Sequence, residues 1–465
     1  MQFDIVIKNL GKINEAKVKI RPFTVIAGKN SSGKSFITKS LYSFFSTVNI
    51  DHVTVKAYDR IENIKRLFQY VTQNISRQSL NEKALFEIFL MNIDNIQHEV
   101  EIAFGSNTVS NQILKTHLLK EPIRELEETY QLIIEELSGK QKSWYVKKEL
   151  EVINRLISEL NQIVTAPINC LVDGINFGFI NALKENFQVS KLSDLKNYKI
   201  TNEKSITFNF DTLGNVIITG ENLNTRLDKD SIDAIQKLHN VVYLESPVYW
   251  KLKDALVNTS LSKRFFRLGS HDKKDILGGV PKYFYDLLNL IGSQTKDIPI
   301  NELYNKINTE IGGEITISNS GELMFKEEGQ TTSVSLHNTA LGITNLGIIS
   351  LLLKKGVLSS GSFLFIDEPE VHLHPLWQKT MIDALYDLSI SGVNVVIASH
   401  SIDMMKCVEN IMEKVPENEI NEHFGINQLN INGNSIDNGP YPLRQIAAIQ
   451  EDLGQPFYDL FMEDH

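Results

Sequence analysis

Residues 28–35 read Gly28-Lys29-Asn30-Ser31-Ser32-Gly33-Lys34-Ser35 and match the phosphate-binding pattern G-x-x-x-x-G-K-S. The apolar run 23–27 before this loop predicts a strand, and residues 36–45 after it predict a helix. In such a strand–loop–helix unit, backbone N–H groups and the helix N-terminus bind a polyphosphate. A plain Gly/Ser turn is the alternative, but such a turn has no need of Lys34 and Ser35. The nucleotide contacts that we expect are Gly28, Asn30, Ser31, Ser32, Gly33, Lys34, Ser35 and Phe36.

A pair of acids follows a second apolar run and supplies the chemistry that the loop lacks. Residues 362–366 read as a strand buried on both faces, and the run ends in Asp367-Glu368. Acids at this end of a parallel strand lie where open α/β sheets bind ligands. We expect Asp367 and the Ser35 hydroxyl to hold Mg²⁺, and Lys34 to reach the β- and γ-phosphates of ATP. Glu368 is the candidate base for the attacking water.

A histidine ends the next apolar run. Residues 393–398 predict another buried strand, and it is followed by Ser399-His400-Ser401. A lone histidine is commonly structural, but at this strand end His400 can touch the γ-phosphate and sense its loss. We therefore include His400 with Lys34 and Glu368 among the candidate catalytic residues.

These segments together resemble the ABC-type ATPase superfamily, in the branch of SMC-like and OLD-like ATPases (the AAA_15- and AAA_21-like group). The resemblance covers residues 1–45 and about 310–410, including the opening 7–30 and the segment 368–375 after the acids. It implies an α/β fold of the ABC P-loop type with a mixed or parallel sheet. It also implies an N-terminal antiparallel β lobe and an inserted helical, short coiled-coil-like subdomain.

The same resemblance implies a signature motif that reaches the nucleotide of a partner subunit. Residues 338–346 occupy its place, with Gly342 as the fitting glycine and Thr339 as a second nucleotide contact. The serine expected beside Gly342 is missing, so either Thr339 or Thr344 has to supply the hydroxyl. The glutamine loop of the family is not placed, and Gln69 is a poor candidate. In this family ATP lies between two subunits, and its binding closes the dimer.

Four segments are predicted along the chain. They are an N-terminal ATPase lobe with the phosphate loop (1–55), a helical insertion (56–200), a C-terminal ATPase lobe (201–420) and a tail (421–465). Apolar residues recur three and four positions apart in 122–137 and 146–164, around a turn at 138–142, which predicts a helical hairpin. Arms of 20–25 residues span roughly 30–40 Å. The hairpin is either a plain helical subdomain or a docking arm, and the tail either packs on the core or docks another protein.

Composition limits the function classes. The 465 residues carry a net charge of −10, which argues against a surface that coats nucleic acid. A contact with nucleic acid remains open because residues 263–267 alternate basic and aromatic side chains. Cys170 and Cys407 lie far apart and predict free thiols in a cytoplasmic protein. The apolar stretches are too short for a membrane span. His372 and His374 beside Glu370 lack metal-site spacing and suit a structural or dimer-contact role.

The expected partners come from resemblance at the level of architecture. A compact ATPase with a short insertion resembles the ATPase subunits of the anti-phage systems Septu (its PtuA subunit) and PARIS. Only 65 residues follow His400, so we expect no fused nuclease. The resemblance implies dimers, with a hexamer possible, and a separate effector: an HNH nuclease for Septu, which we favour, or a TOPRIM-like protein for PARIS. The alternatives are an SMC-like ATPase of DNA repair or chromosome maintenance and the ATPase half of a transporter.

Overall fold

The computed structural model describes residues 2–75, 78–105, 108–138, 144–200, 205–245, 247–251, 253, 280–293, 302–318 and 321–463. They form two compact units. The ATPase unit comprises Met1–Asn49, Phe179–Asp228 and Leu238–His465, and the helical unit comprises Ile50–Gly178 and Lys229–Lys237. The basic and aromatic run 263–267 and most of the turn 138–142 lie outside the described residues.

The strands, in chain order, are β1 Phe3–Lys8, β2 Glu15–Ile20, β3 Phe23–Gly28, β4 Ser205–Phe210, β5 Gly214–Thr219, β6 Asn222–Leu227, β7 Val241–Leu244, β8 Gly313–Ile317, β9 Leu323–Glu327, β10 Val334–Ser335, β11 Phe363–Asp367, β12 Asn394–Ser399, β13 Phe424–Leu429 and β14 Ser435–Ile436. The α-helices are α1 Lys34–Val48, α2 His52–Gln73, α3 Leu80–Phe104, α4 Val109–Lys115, α5 His117–Ser138, α6 Trp144–Thr165, α7 Pro167–Phe187, α8 Lys229–Gln236, α9 Val248–Lys251, α10 Lys282–Ser293, α11 Glu302–Ile311, α12 Leu341–Lys354, α13 Pro375–Ile390, α14 Ile402–Met412, α15 Glu417–His423 and α16 Pro442–Glu463.

The main sheet of the ATPase unit has the strand order β14-β13-β3-β12-β11-β7. All neighbours in it are parallel except β14, which runs antiparallel to β13. Strands β3, β11 and β12 are buried along their whole length, which explains their continuous apolar runs. The register pairs Asp367 with Ala398 and Ser399 with Ala27, so the phosphate loop, the acids and His400 start from one edge. The expected ABC-type P-loop ATPase fold is confirmed.

An antiparallel sheet of order β2-β1-β4-β5-β6 forms the expected β lobe. Strand β1 alternates buried and half-buried residues, as expected for a sheet with one face on the core. Strands β1 and β2 precede the helical insertion in sequence, and β4–β6 follow it, so the lobe combines segments that the insertion separates in sequence. A third sheet has the strand order β10-β9-β8.

The helical unit is built around α2, α3, α5 and α6. The arms of the predicted hairpin are α5 and α6, each 22 residues and about 33 Å long. Helix α5 packs on α3, and α6 packs on α2. Phe68, Phe89 and Tyr130 form an aromatic cluster in the core, with centroid distances of 4.3 Å and 5.7 Å along that order. The inserted helices therefore share one packed core, and Gln69 is an exposed residue of α2.

The unit boundaries differ from the segment boundaries read from the sequence. The helical unit consists of 50–178 and 229–237 rather than 56–200. The last turns of α7 belong to the ATPase unit, where Phe179 packs edge-on against Phe44. Residues 424–429, assigned to a tail, are strand β13 of the main sheet. Helix α16 buries Ile446 and Ile449, whereas Phe457, Tyr458 and Met462 near its end are exposed.

Two further expectations concern cysteines and membranes. Cys170 is buried and Cys407 half-buried, and both are free thiols. Within the described residues, no single helix is both long and apolar enough to cross a membrane. Helices α6 and α7 meet that test only as a pair, with a bend of 104° between them.

Candidate functional site

The phosphate loop has a backbone that side chains would obstruct. Gly33 has a φ of 102°, in the left-handed region that favours glycine, and it caps helix α1. A Cβ atom on Gly33 would lie 2.5 Å from Ile13 Cδ1, and one on Gly28 would lie 2.6 Å from the Leu429 carbonyl oxygen. Ser31 adopts a φ of 62°. The loop therefore exists in the curled form that presents backbone N–H groups to an anion.

Lys34 lies in the loop and is 5% exposed. Its Nζ donates hydrogen bonds to the carbonyl oxygens of Gly28 (2.8 Å) and Lys29 (3.2 Å). Burial lowers the pKa of Lys34, and the nearby carboxylates of Glu368, Asp367 and Glu370 oppose that shift. The amine is thus held beside the acids that the sequence predicted for the same site.

Asp367 ends β11 and is the candidate Mg²⁺ ligand. The Tyr243 hydroxyl donates to Oδ2 (3.2 Å) and is itself 3.1 Å from Thr38 Oγ1 on α1. Oδ1 is buried and has no hydrogen-bond partner among the described residues. Burial raises the pKa of Asp367 to about 6; Ser35 and Lys39 act to lower it, and Glu245 and Glu368 to raise it further.

The donor set fits a magnesium ion. A buried carboxylate oxygen without a partner and an adjacent serine hydroxyl are the hard oxygen ligands that Mg²⁺ uses, together with water and substrate phosphates. In the described part of the chain, no three His, Cys, Asp or Glu residues are grouped so as to hold a metal by themselves. A site with one carboxylate suits a metal ion whose remaining ligands are water and the phosphates of the nucleotide.

Glu368 has a backbone conformation that is uncommon for glutamate. Its φ is 51°, in the left-handed region, and its N–H donates to the Ala398 carbonyl oxygen at 2.8 Å. The side chain is 43% exposed, so its carboxylate is accessible to water. Unusual backbone angles of this kind concentrate at functional sites.

His400 lies between two carboxylates. Its Nδ1 is 3.6 Å from Glu368 Oε1 and 3.2 Å from Glu370 Oε1. Glu370 Oε1 also accepts hydrogen bonds from Ser399 Oγ (2.9 Å) and from the His400 backbone N–H (3.1 Å). Sequence reasoning missed this role of Glu370; the only available signal was a third acid soon after the acid pair.

Two other charged contacts at the site were missed. Glu245 follows β7, the neighbour of β11, and its carboxylate lies 2.7 Å from Lys39 of α1 and accepts a hydrogen bond from Tyr283. Lys29 of the phosphate loop lies 2.9 Å from Asp452 of α16. Both contacts join residues hundreds of positions apart, so no local pattern reports them.

The predicted signature residues lie at the start of helix α12 and in the turn before it. Gly342 is in the first turn of α12, and a Cβ there would lie 3.1 Å from the His372 carbonyl oxygen. Thr339 Oγ1 donates to Leu336 O (2.8 Å) and Thr344 Oγ1 to Ala340 O (3.3 Å). Both hydroxyls are thus engaged within their own chain. Their contact with a partner's nucleotide stays a prediction.

Two more predicted residues have packing or capping roles in this chain. The Phe36 ring stacks on Phe187 with a centroid distance of 5.2 Å and covers Gly11. His374 caps α13 by accepting a hydrogen bond from Leu376 N at 3.3 Å. The structure therefore brings Lys34, Asp367, Glu368 and His400 together, whereas the half-buried ring of Phe36 packs on Phe187.

Comparisons with known proteins place the chain in a family of ATPase domains. A family model of the AAA ATPase domain (AAA_15) matches residues 3–405. No curated protein gives a match. Solved structures that are similar include an SMC head bound to the C-winged helix domain of ScpA (12% identity, 87% of this chain and 92% of that chain, TM-score 0.36). Another is the SMC head of Thermotoga maritima (10% identity, 88% and 92%, TM-score 0.34). At such TM-scores we rest no argument on this likeness.

Proposed function

Because the chain belongs to the AAA_15 family of AAA ATPase domains, we propose that it binds Mg²⁺·ATP at the sheet edge and hydrolyses it in the cytoplasm. The observation that carries this proposal is the convergence of four groups on that edge. The Lys34 amine lies within electrostatic reach of Asp367 and Glu368, and His400 Nδ1 lies 3.6 Å from Glu368. The four groups come from three separate segments of the sequence, so no single motif accounts for their proximity.

The residues divide the chemistry among them. On nucleotide binding, Lys34 exchanges the carbonyls of Gly28 and Lys29 for phosphate oxygens. Asp367 and the Ser35 hydroxyl would hold Mg²⁺, which would neutralise charge on the phosphates. Glu368 accepts the proton of the attacking water, because its carboxylate is accessible. His400 contacts the γ-phosphate and reports its loss.

We also propose that the complete site needs two subunits. Gly342 and Thr339 lie at the start of α12 and in the turn before it, and the family resemblance implies that this segment reaches the nucleotide of a partner. They suit the closing contact with a partner's nucleotide. ATP then favours the dimer, and hydrolysis releases it.

The proposed biological role is that of a regulatory ATPase for a separate nuclease effector in anti-phage defence, with an HNH nuclease as the favoured effector. The compact ATPase unit and the short helical unit support this reading, as does the acidic net charge of −10. A DNA-binding role is the competing reading, and salt-dependent DNA affinity would favour it, because phosphate contacts weaken steeply with salt.

Two variants test the ATPase proposal. Lys34→Ala should abolish ATP binding in equilibrium titrations, and Glu368→Gln should bind ATP, fail to hydrolyse it and accumulate as ATP-bound dimers in light scattering. Glu451→Gln, at an exposed position of α16, is the control. Normal hydrolysis by the Glu368→Gln protein would show that the base is wrongly assigned.

The separate-effector proposal has its own test. The purified chain should cleave neither DNA nor RNA, with or without ATP and Mg²⁺. Nuclease activity that copurifies with the chain through several columns and is lost on Lys34→Ala would overturn it.

A further inference from the structure

Two glutamates of one short segment have opposite environments. The side chain of Glu368 is 43% exposed, whereas that of Glu370, two residues later, is 7% exposed. Glu370 Oε2 is buried without a hydrogen-bond partner in the described part of the chain. A carboxylate is costly to bury unless its contacts compensate. Glu370 is therefore the acid whose position needs an explanation.

The contacts of Glu370 converge on the segment that carries His400. One oxygen, Oε1, receives the Ser399 hydroxyl at 2.9 Å and the His400 backbone N–H at 3.1 Å. The same oxygen lies 3.2 Å from His400 Nδ1. The two hydrogen bonds join the end of β12 to the segment after β11, and they hold the imidazole ring beside the carboxylate.

The imidazole of His400 lies nearer to Glu370 than to the candidate base Glu368. His400 Nδ1 is 0.4 Å closer to Glu370 than to Glu368, at 3.2 Å against 3.6 Å. Nδ1 is buried and forms no hydrogen bond with a described residue, but both groups near it are carboxylates. Their negative charge favours the proton of the ring on Nδ1. The Nε2 atom is then the nitrogen that is left for the nucleotide.

We propose that Glu370 is a positioning residue for the hydrolysis reaction, which rests on the proposed ATPase function. Through the Ser399 hydroxyl and the His400 backbone N–H it fixes the strand end that carries the imidazole ring, and its charge 3.2 Å from Nδ1 favours a proton on that nitrogen. Glu368, the more distant and more exposed of the two carboxylates, is then left to accept the proton of water. Groups that orient a catalytic imidazole through its second nitrogen act in this way at other sites.

A merely structural role makes a different prediction. If the only role of Glu370 were to bind the segment after β11 to the end of β12, glutamine would replace it without loss of activity. The glutamine oxygen can accept the same hydrogen bonds from Ser399 and from the His400 N–H. Glu370→Gln removes the charge that favours a proton on Nδ1 but retains that acceptor. The substitution therefore distinguishes a role in hydrogen bonding to the end of β12 from a role in positioning the His400 imidazole.

The experiment combines kinetics with spectroscopy. Steady-state ATPase rates are measured for Glu370→Gln, His400→Ala and the double variant, and histidine 15N shifts are recorded for wild type and Glu370→Gln. The His400 signal is assigned by its absence in His400→Ala. Glu409→Gln is the matched control, an acid of α14 that is 16% exposed and bonded to Lys406 and Gln450.

The expected result is a fall in kcat of about 10–100-fold for Glu370→Gln, with KM for ATP within about twofold of wild type. In the His400→Ala background the same change should have little further effect, and Nδ1 of His400 should lose its proton preference. Equal losses in both backgrounds, or an unchanged tautomer, would overturn the proposal. If the wild-type protein has no ATPase activity, the ATPase proposal fails, while the tautomer measurement still decides the role of Glu370.

Discussion

Asp367→Asn should stabilise the metal-free protein at neutral pH. Burial raises the pKa of this carboxyl group to about 6, from an ordinary value of 3.8. Its Oδ1 has no partner in the described residues, and Tyr243 donates to Oδ2. Asparagine has the same shape, accepts the Tyr243 hydrogen bond and carries no charge to be desolvated.

The magnitude follows from the difference between the two pKa values. About two pKa units at about 1.4 kcal/mol each give a destabilisation of about 3 kcal/mol when the carboxylate is ionised. The folded state keeps the proton up to about pH 6, whereas the unfolded state releases it near pH 3.8. Stability is therefore lost as the pH rises through this window, and the loss is complete above it.

The measurement is urea unfolding at pH 7.5 and pH 5 in the presence of a chelator and without nucleotide. A Trp144→Phe background leaves Trp250 and Trp377 as reporters of the ATPase unit. We expect Asp367→Asn to raise the unfolding free energy by up to about 3 kcal/mol at pH 7.5 and by clearly less at pH 5. Asp173→Asn, at an exposed position of α7, is the control.

Two results would refute the reasoning. One is an Asp367→Asn protein that is no more stable than wild type at pH 7.5. The other is a gain of equal size at both pH values, which would mean that ionisation is not its cause. With Mg²⁺ and ATP added, wild type should become the more stable of the two proteins. Only wild type keeps the carboxylate that binds the metal, and binding stabilises the folded state.

Two further predictions concern neighbouring groups. Tyr243→Phe removes the hydrogen bond that orients Asp367, so the affinity for Mg²⁺ in the presence of ATP should fall about 10-fold in calorimetric titrations; Tyr198→Phe, an exposed tyrosine, should leave it unchanged. Glu368→Gly relieves a φ of 51° and should be more stable than Glu368→Gln by about 1 kcal/mol in urea, although both are inactive. Equal stability of these two variants would show that the backbone at residue 368 is not strained.

The parts of the fold that the sequence predicted are those that rest on local patterns. Strands β3, β11 and β12 are buried on both faces, so their apolar runs are continuous and the polar residues after them mark one sheet edge. The phosphate loop is one continuous segment with fixed glycine positions. Lys34, Asp367 and His400 could therefore be placed without a structure.

The parts that were missed depend on contacts between distant residues. Strand β13 lies next to β3 but contains Asn427 and Gln428, whose side chains are buried because they bond to the Val25 carbonyl oxygen and to Asp452. Such polar residues hide a central strand from a hydrophobic pattern. Glu370 was missed for the same reason, since its burial depends on Ser399 and His400 in the next strand.

The position of the base depends on two strands rather than one. Side chains alternate along an extended strand, so a regular continuation of β11 would turn Glu368 to the face opposite Asp367. The left-handed backbone at Glu368 interrupts this alternation. The Glu368 N–H donates to the Ala398 carbonyl oxygen, so the interrupted segment stays bonded to β12. Pro369 disfavours right-handed helical backbone at the preceding residue. Glu370 then bonds the segment to the end of β12. Any variant that loosens β12 should therefore displace Glu368 and His400 together.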